Sequence, residues 1–311
     1  EYPHLVWLNN LCELVREGRI SEENINDSCR RVLRLKFLLG LFENPYTDET
    51  RWEKVVLCDE HKATALELAQ KAVILLKNDG ILPLKPEKYA SIALIGPSSG
   101  DQKLGGYSAV PVGRTPESVY DVLMRELGDS VEIRRCDGCG ISGSEASPFG
   151  LADQQHLQFD NGPVIRDSLD EAVQTAEGCD LIVFVGGDDR ISSGEGRDRC
   201  ELTLCGRQRE LILRLAHLGK PMVVVLENGK PLDLSAETEV SNAIVMAWFN
   251  GEMGAQAIAD ALLGRVNPAG RLPISFPADS FRIPCYYSML PGGDKNFMEG
   301  PKDALYPFGF G

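Results

Sequence analysis

The chain has 311 residues, with 32 Lys and Arg against 46 Asp and Glu, a formal net charge of −14. Hydrophobic residues make up 43% and charged residues 25%, which excludes a disordered chain, and the acidic balance argues against a general nucleic-acid binder. No run approaches ~18 consecutive apolar residues, so no membrane span is expected, and the length suits one large domain or two moderate ones. The chain opens Glu1-Tyr2-Pro3-His4, with no initiator methionine and no basic or apolar leader, and reads as cut from something longer.

Residues 5–40 read as two helices. The first spans about 5–17 and ends at Gly18. Ser21 is placed as the cap of the second, with Glu22 and Glu23 in its first turn and Arg30, Arg31, Arg34 and Lys36 toward its end, matching the helix dipole. Ile25, Cys29, Val32 and Leu33 form an apolar stripe at helical spacing, and Gly40 stops the helix. A further helix is expected over about 59–77. The period then changes to short apolar runs at 92–95, 131–133, 181–185, 222–226 and 244–248, several rich in Val and Ile. Helices are expected between them at about 116–127 (Thr115 as cap, Pro116 at the first position), 168–176, 208–218 and 254–263. Continuous apolar strands alternating with helices predict a mostly parallel sheet covered on both faces. The tail over 279–311, rich in Pro, Gly, Tyr and Phe, is expected to wrap over that sheet or bridge to a neighbour.

Nine cysteines leave at least one thiol unpaired. Cys12, Cys29 and Cys179 read as small core residues, and Cys136-Asp137-Gly138-Cys139 as a local turn, because a zinc site needs a second ligand pair. The four histidines are scattered without metal spacing.

In a doubly wound sheet, ligands bind beyond the carboxyl ends of the strands. Gly96-Pro97-Ser98-Ser99-Gly100 lacks the dinucleotide glycine pattern, and Pro97 removes an amide that a phosphate would use. Gly105-Gly106-Tyr107 could set an aromatic ring over a cleft or cap the domain edge. Ser192-Ser193-Gly194-Glu195-Gly196-Arg197-Asp198-Arg199 is the densest polar segment. It reads either as a solvated loop or as a carboxylic acid carried on a mobile loop. Glu227-Asn228-Gly229-Lys230-Pro231 and Asn250-Gly251-Glu252 read as turn and capping chemistry. No nucleophile elbow of a serine hydrolase follows a strand.

Taken in order, these segments resemble glycoside hydrolase family 3, in its bacterial β-glucosidase form. Ser192 to Arg199 followed by Leu202-Thr203-Leu204 and Gly206-Arg207-Gln208 is similar to the family's acid/base loop. Gly219-Lys220-Pro221, Asn228-Gly229-Lys230-Pro231-Leu232, Gly251-Glu252, Asn267-Pro268-Ala269-Gly270-Arg271-Leu272-Pro273, Ser275-Phe276-Pro277 and Leu305-Tyr306-Pro307-Phe308-Gly309 continue the likeness. Upstream, Arg31-Val32-Leu33, Lys36-Phe37 and Gly40-Leu41-Phe42 resemble the end of the family's first domain.

The resemblance implies a three-layer α/β/α sandwich with a mostly parallel sheet, preceded by the terminal helices of a TIM barrel. Residues 1–45 would be the last helices of that barrel, 46–85 a linker and helix, 86–277 the sandwich, and 278–311 a wrapping tail leading toward a third domain. It implies a retaining exo-acting β-glucosidase that releases terminal glucose. Glu195 would be the general acid/base, with Glu201 as its rival, and Tyr107 would be an aromatic wall of the substrate site. The nucleophile would be an aspartate of the barrel, commonly within Ser-Asp-Trp, which this chain lacks. The barrel, in the same protein or on a companion chain, would be the partner, and a small carbohydrate the substrate. No cofactor, metal, nucleic acid or membrane is implied; a homo-oligomer stays open, and a periplasmic or secreted setting is favoured over the cytoplasm. Asp198 is expected to pair with Arg197 or Arg199 and leave the other pointing away. The rival readings are a β-xylosidase or broader exo-glycosidase, a non-catalytic carbohydrate-binding module, and a nucleotide-binding sandwich.

Overall fold

The computed structural model describes residues 6–108, 115–142, 167–289 and 303–311. It divides into two compact units, residues 1–58 and 59–311.

The first unit holds α1 (Val6–Arg16), α2 (Glu22–Leu38) and the short α3 (Arg51–Val55). Ser21 caps α2, its hydroxyl accepting from the Asn24 amide at 3.3 Å. α2 buries no residue: Phe37 is 60% and Leu38 74% exposed, and Val32 and Leu35 also face solvent. Cys12 and Cys29 are exposed, contrary to the expectation of core thiols, as they lie on helix faces that no described residue of this unit covers.

The second unit begins with α4 (Asp59–Ala72) and β1 (Ile74–Asn78). The expected helix over 59–77 therefore ends five residues early, and its last turn is a strand. Ile74 and Leu76 alternate into the core, and β1 runs antiparallel along β6 (Ala243–Met246), with Ile74 opposite Met246. Sheet pairing satisfies this backbone as well as a helix would and buries the apolar pair, so tertiary context overrides the helical pattern.

The other strands are β2 (Ser91–Ile95), β3 (Glu132–Cys136), β4 (Leu181–Gly187) and β5 (Met222–Glu227). The sheet order is β1-β6-β5-β4-β2-β3, and every pair except β1–β6 is parallel. β2, β4, β5 and β6 are buried along their whole length. One face packs Ile182, Phe184, Val224, Leu226 and Ile244 against α6 (Leu169–Glu177) and α7 (Gln208–Ala216). The other packs Val183, Val185, Val223, Val225 and Val245 against α4, α5 (Val119–Leu127) and α9 (Gly254–Leu262). A short α8 (Ser235–Val240) follows β5. The result is an α/β/α sandwich. Each fully buried Val, Leu, Ile or Phe contributes roughly 1.5–3 kcal/mol.

α5 starts at Val119 rather than at Pro116. Ser118 and Asp121 form a reciprocal capping box, with the Ser118 amide donating to Asp121 at 2.9 Å and the Asp121 amide to the Ser118 hydroxyl at 3.2 Å. The tail returns over the sheet. The Phe276 amide donates to the Tyr306 carbonyl at 2.8 Å, and the Phe276 ring meets Trp248 and Tyr306 edge-on. Cys136 and Cys139 are buried free thiols, and burial pushes Cys139 up to about 12. Among the described residues, no helix is long and apolar enough to cross a membrane, and no group of three or more His, Cys, Asp or Glu is placed to hold a metal.

Candidate active site

Strand order reverses between β2 and β4: from β2 the chain goes outward to β3, and from β4 it goes the other way through β5 and β6. The crevice at such a reversal, beyond the carboxyl ends of the strands, is where an open α/β sheet binds ligands. The loop after β2 carries Tyr107, and the loop after β4 carries Glu195.

The two loops meet. A Cβ on Gly106 would lie 3.8 Å from the Ser193 carbonyl oxygen. The Tyr107 hydroxyl donates to Glu195 Oε2. Both side chains are exposed, Tyr107 to 80%. That hydrogen bond, followed by the charge of Glu195, holds the Tyr107 phenol above its ordinary range. Tyr107 has a φ of +59°, a left-handed conformation that a bulky residue rarely adopts.

The Glu195 loop is anchored at its root. Gly187, the last residue of β4, has a φ of +140°, and a Cβ there would meet the Glu227 carbonyl oxygen at 2.1 Å, so only glycine lets β4 and β5 run side by side into the site. Asp188 follows it and is buried. It accepts from the Ser192 hydroxyl at 2.9 Å and from the Gly229 amide at 3.3 Å. Burial raises its carboxyl, and the charge of Lys230 acts against that rise. Lys230 Nζ donates to the Ser192 carbonyl at 2.5 Å. Asp189 Oδ1 accepts from the Ile191 and Ser192 amides at 2.9 and 2.7 Å, closing the turn. The root is thus fixed by buried polar bonds, while the tip at Gly194-Glu195-Gly196 is exposed.

Neither arginine pairs with Asp198, contrary to expectation. Arg197 donates to the Ile191 carbonyl at 3.3 Å and Arg199 to the Thr203 carbonyl at 2.9 Å. Each cation is spent on the loop's own main chain, which curves it back on itself. Glu201 is exposed, and no hydrogen bond ties it to Tyr107, whose hydroxyl goes to Glu195.

Sequence reasoning missed the supports. Glu227-Asn228-Gly229-Lys230 reads as a plain turn, yet Lys230 and Gly229 brace the Glu195 loop, and Glu227 is wholly buried. Phe249 stands between the loops: a Cβ on Gly105 would lie 2.8 Å from its ring, and one on Gly229 also 2.8 Å. The available signal was Glu227 itself, a carboxyl ending the run Val223-Val224-Val225-Leu226.

Residues 73–311 match the family model described as the glycosyl hydrolase family 3 C-terminal domain. The chain is 34% identical to a periplasmic β-glucosidase of Salmonella typhimurium, over 96% of this chain and 41% of that protein. It is 35% identical to a β-xylosidase of Formosa agariphila, over 92% of this chain and 38% of that protein. A solved β-glucosidase structure from Erythrobacter marinus superposes with a TM-score of 0.81 at 32% identity, covering 97% of this chain and 41% of that one. The chain thus spans about two fifths of the length of the relatives it matches. With the sandwich, the strand reversal and this match in agreement, the chain belongs to glycosyl hydrolase family 3, and residues 73–311 are the family's C-terminal domain.

Proposed function

We propose that this chain supplies the acid/base half of a retaining exo-acting β-glucosidase. The observation that carries the reading is the meeting of Tyr107 and Glu195 at the strand reversal, on an exposed loop tip with a buried root. In a retaining glycosidase two carboxyl groups stand ~5–5.5 Å apart. Glu195, protonated, gives its proton to the glycosidic oxygen as the bond from that oxygen to the anomeric carbon breaks. A partner carboxylate forms the new bond to that carbon. In the second step ionised Glu195 takes a proton from water, whose oxygen displaces the partner carboxylate. The Tyr107 hydroxyl donates to Glu195. That bond suits the ionised form, the base of the second step.

The partner carboxylate is an aspartate of a TIM barrel in the same protein or on a companion chain. Residues 1–45 are the last helices of that barrel. The uncovered apolar side of α2, with Val32, Leu35 and Leu38, supports this, since such a stripe calls for a packing partner. Residues 278–311 are a tail leading toward a further domain.

Two β-glucosidases among the relatives favour glucose as the sugar released. A second reading, β-xylosidase, rests on the comparable identity to the Formosa agariphila protein. Rates on aryl β-glucoside and aryl β-xyloside separate them. For the acid/base role, Glu195→Ala in the full-length protein lowers kcat by about 10²–10⁴-fold on poor leaving groups and least on good ones. Azide restores turnover. A uniform loss across leaving groups, without rescue, sinks the assignment.

A further inference from the structure

Glu227 ends β5 with a side chain that is 0% exposed and takes no part in the chemistry above. Its Oε1 accepts from Gln102 Nε2 at 2.6 Å. Among the described residues its Oε2 has no hydrogen-bond partner, and neither does the Gln102 carbonyl oxygen, Oε1. The two orphaned oxygens belong to the two groups already joined, so a single proton between them answers both. With that proton on Glu227 Oε2, the acid donates to Gln102 Oε1 while Gln102 Nε2 donates to Glu227 Oε1.

Among the described residues, no other donor supplies it. The buried Ser98 and Ser99 hydroxyls bond neither oxygen. Lys103 and Asp101, from the loop that carries Gln102, form an ion pair at 2.6 Å and act on Glu227 in opposite senses. Just past β4, the Asp188 amide donates to the Glu227 main-chain carbonyl at 2.9 Å. α9 presents Gly254 to the Gln102 amide. A buried carboxyl in such surroundings keeps its proton.

We propose that Glu227 stands as an uncharged carboxylic acid joined to Gln102 by two hydrogen bonds, and that this pair positions the Tyr107 and Glu195 loops against each other. Gln102 lies in the loop that carries Tyr107. Glu227 leads directly into Gly229 and Lys230, which hold Asp188 and Ser192 at the root of the Glu195 loop. The pair is a buried cross-link between these two segments. Burial pushes the Glu227 carboxyl up to about 8, in keeping with the neutral form. The functional consequence rests on reading Glu195 and Tyr107 as the site, whereas the protonation state does not.

The test uses the full-length protein. Infrared difference spectra of wild type minus Glu227→Gln at neutral pH should contain the carbonyl stretch of a protonated carboxylic acid, and Gln102→Leu should shift it. Absence of that band overturns the acid–amide pair. Above about pH 8 the neutral fraction falls about tenfold per pH unit, so hydrogen-exchange protection of 101–108 and 188–195 should fall by up to that factor. Glu227→Gln, whose amide keeps both bonds at any pH, should hold its protection. Wild-type protection that stays constant to about pH 10 overturns the positioning role. If Glu227→Gln does not fold, Gln102→Leu reads out the same coupling as low protection at every pH, and protection equal to wild type counts against it. Azide rescue of Glu195→Ala reports on the catalytic reading alone, so the two can fail separately.

Discussion

Two glutamates follow neighbouring strands in opposite surroundings, Glu195 on the loop after β4 and Glu227 as the last residue of β5. Glu195 is exposed, on a loop tip between two glycines, and is reached by a phenol. Glu227 is sealed from solvent and held by an amide. A carboxyl that must exchange protons with a substrate has to be accessible, and one that fixes a shape is better kept from exchanging at all. In the proposed roles, one residue type serves chemistry or architecture according to whether a loop carries it out of the sheet or the sheet closes over it.

The sharpest way to break that contrast is chemical labelling. A water-soluble carbodiimide with an amine should modify Glu195 in the native protein and leave Glu227 untouched; equal labelling by mass spectrometry would abolish the distinction. Next in size is Asp188→Ala, which removes the acceptor shared by Ser192 and Gly229. It should cost about 1–3 kcal/mol of stability in denaturant melts, because two hydrogen bonds at the root of the Glu195 loop are lost at once.

The pH dependence of stability sharpens the other side. Glu227 in the fold lies at about 8, above the 4.5 of an ordinary glutamate. Between these values the folded state holds more protons than the unfolded one, so this residue's contribution is full below the lower value and is lost as pH rises through the upper one. Relative to Glu227→Gln, wild-type melting temperature should therefore decline across that window; a parallel pair of curves would contradict it. The smallest effect belongs to Tyr107→Phe. It keeps the ring and loses one exposed hydrogen bond to Glu195, and should lower kcat about three- to tenfold with stability unchanged.

The strand runs were plain in the sequence because strands buried on both faces are written as unbroken apolar stretches. β1 was not, because Ile74-Leu75-Leu76 continues the apolar spacing of α4, and only pairing with β6, more than 160 positions away, makes it a strand. The Glu195 loop was legible as a dense polar segment leaving a strand, and Tyr107 as an aromatic after two glycines. Their contact was not, because it depends on the strand order. Glu227 was hidden for a related reason: Gln102, which seals it, lies 125 positions earlier, so the segment reads locally as an ordinary turn. The tie of Arg197 and Arg199 to loop carbonyls was likewise invisible, since charge spacing favours Asp198.

The strand reversal has a further consequence for how this site can vary. Between Tyr107 and Glu195 the chain travels out to the sheet edge through α5 and β3 and back through α6 to β4. The two ends of that excursion are fixed by β2 and β4, so a change of length in its turns is uncoupled from the separation of Tyr107 and Glu195. The turn at 128–130 lies at the amino ends of the strands, opposite the site. Each doubling of a loop there costs only ~0.6 kcal/mol in closure entropy. Length can therefore be added or removed at that end while the loops that carry Tyr107 and Glu195 keep their spacing.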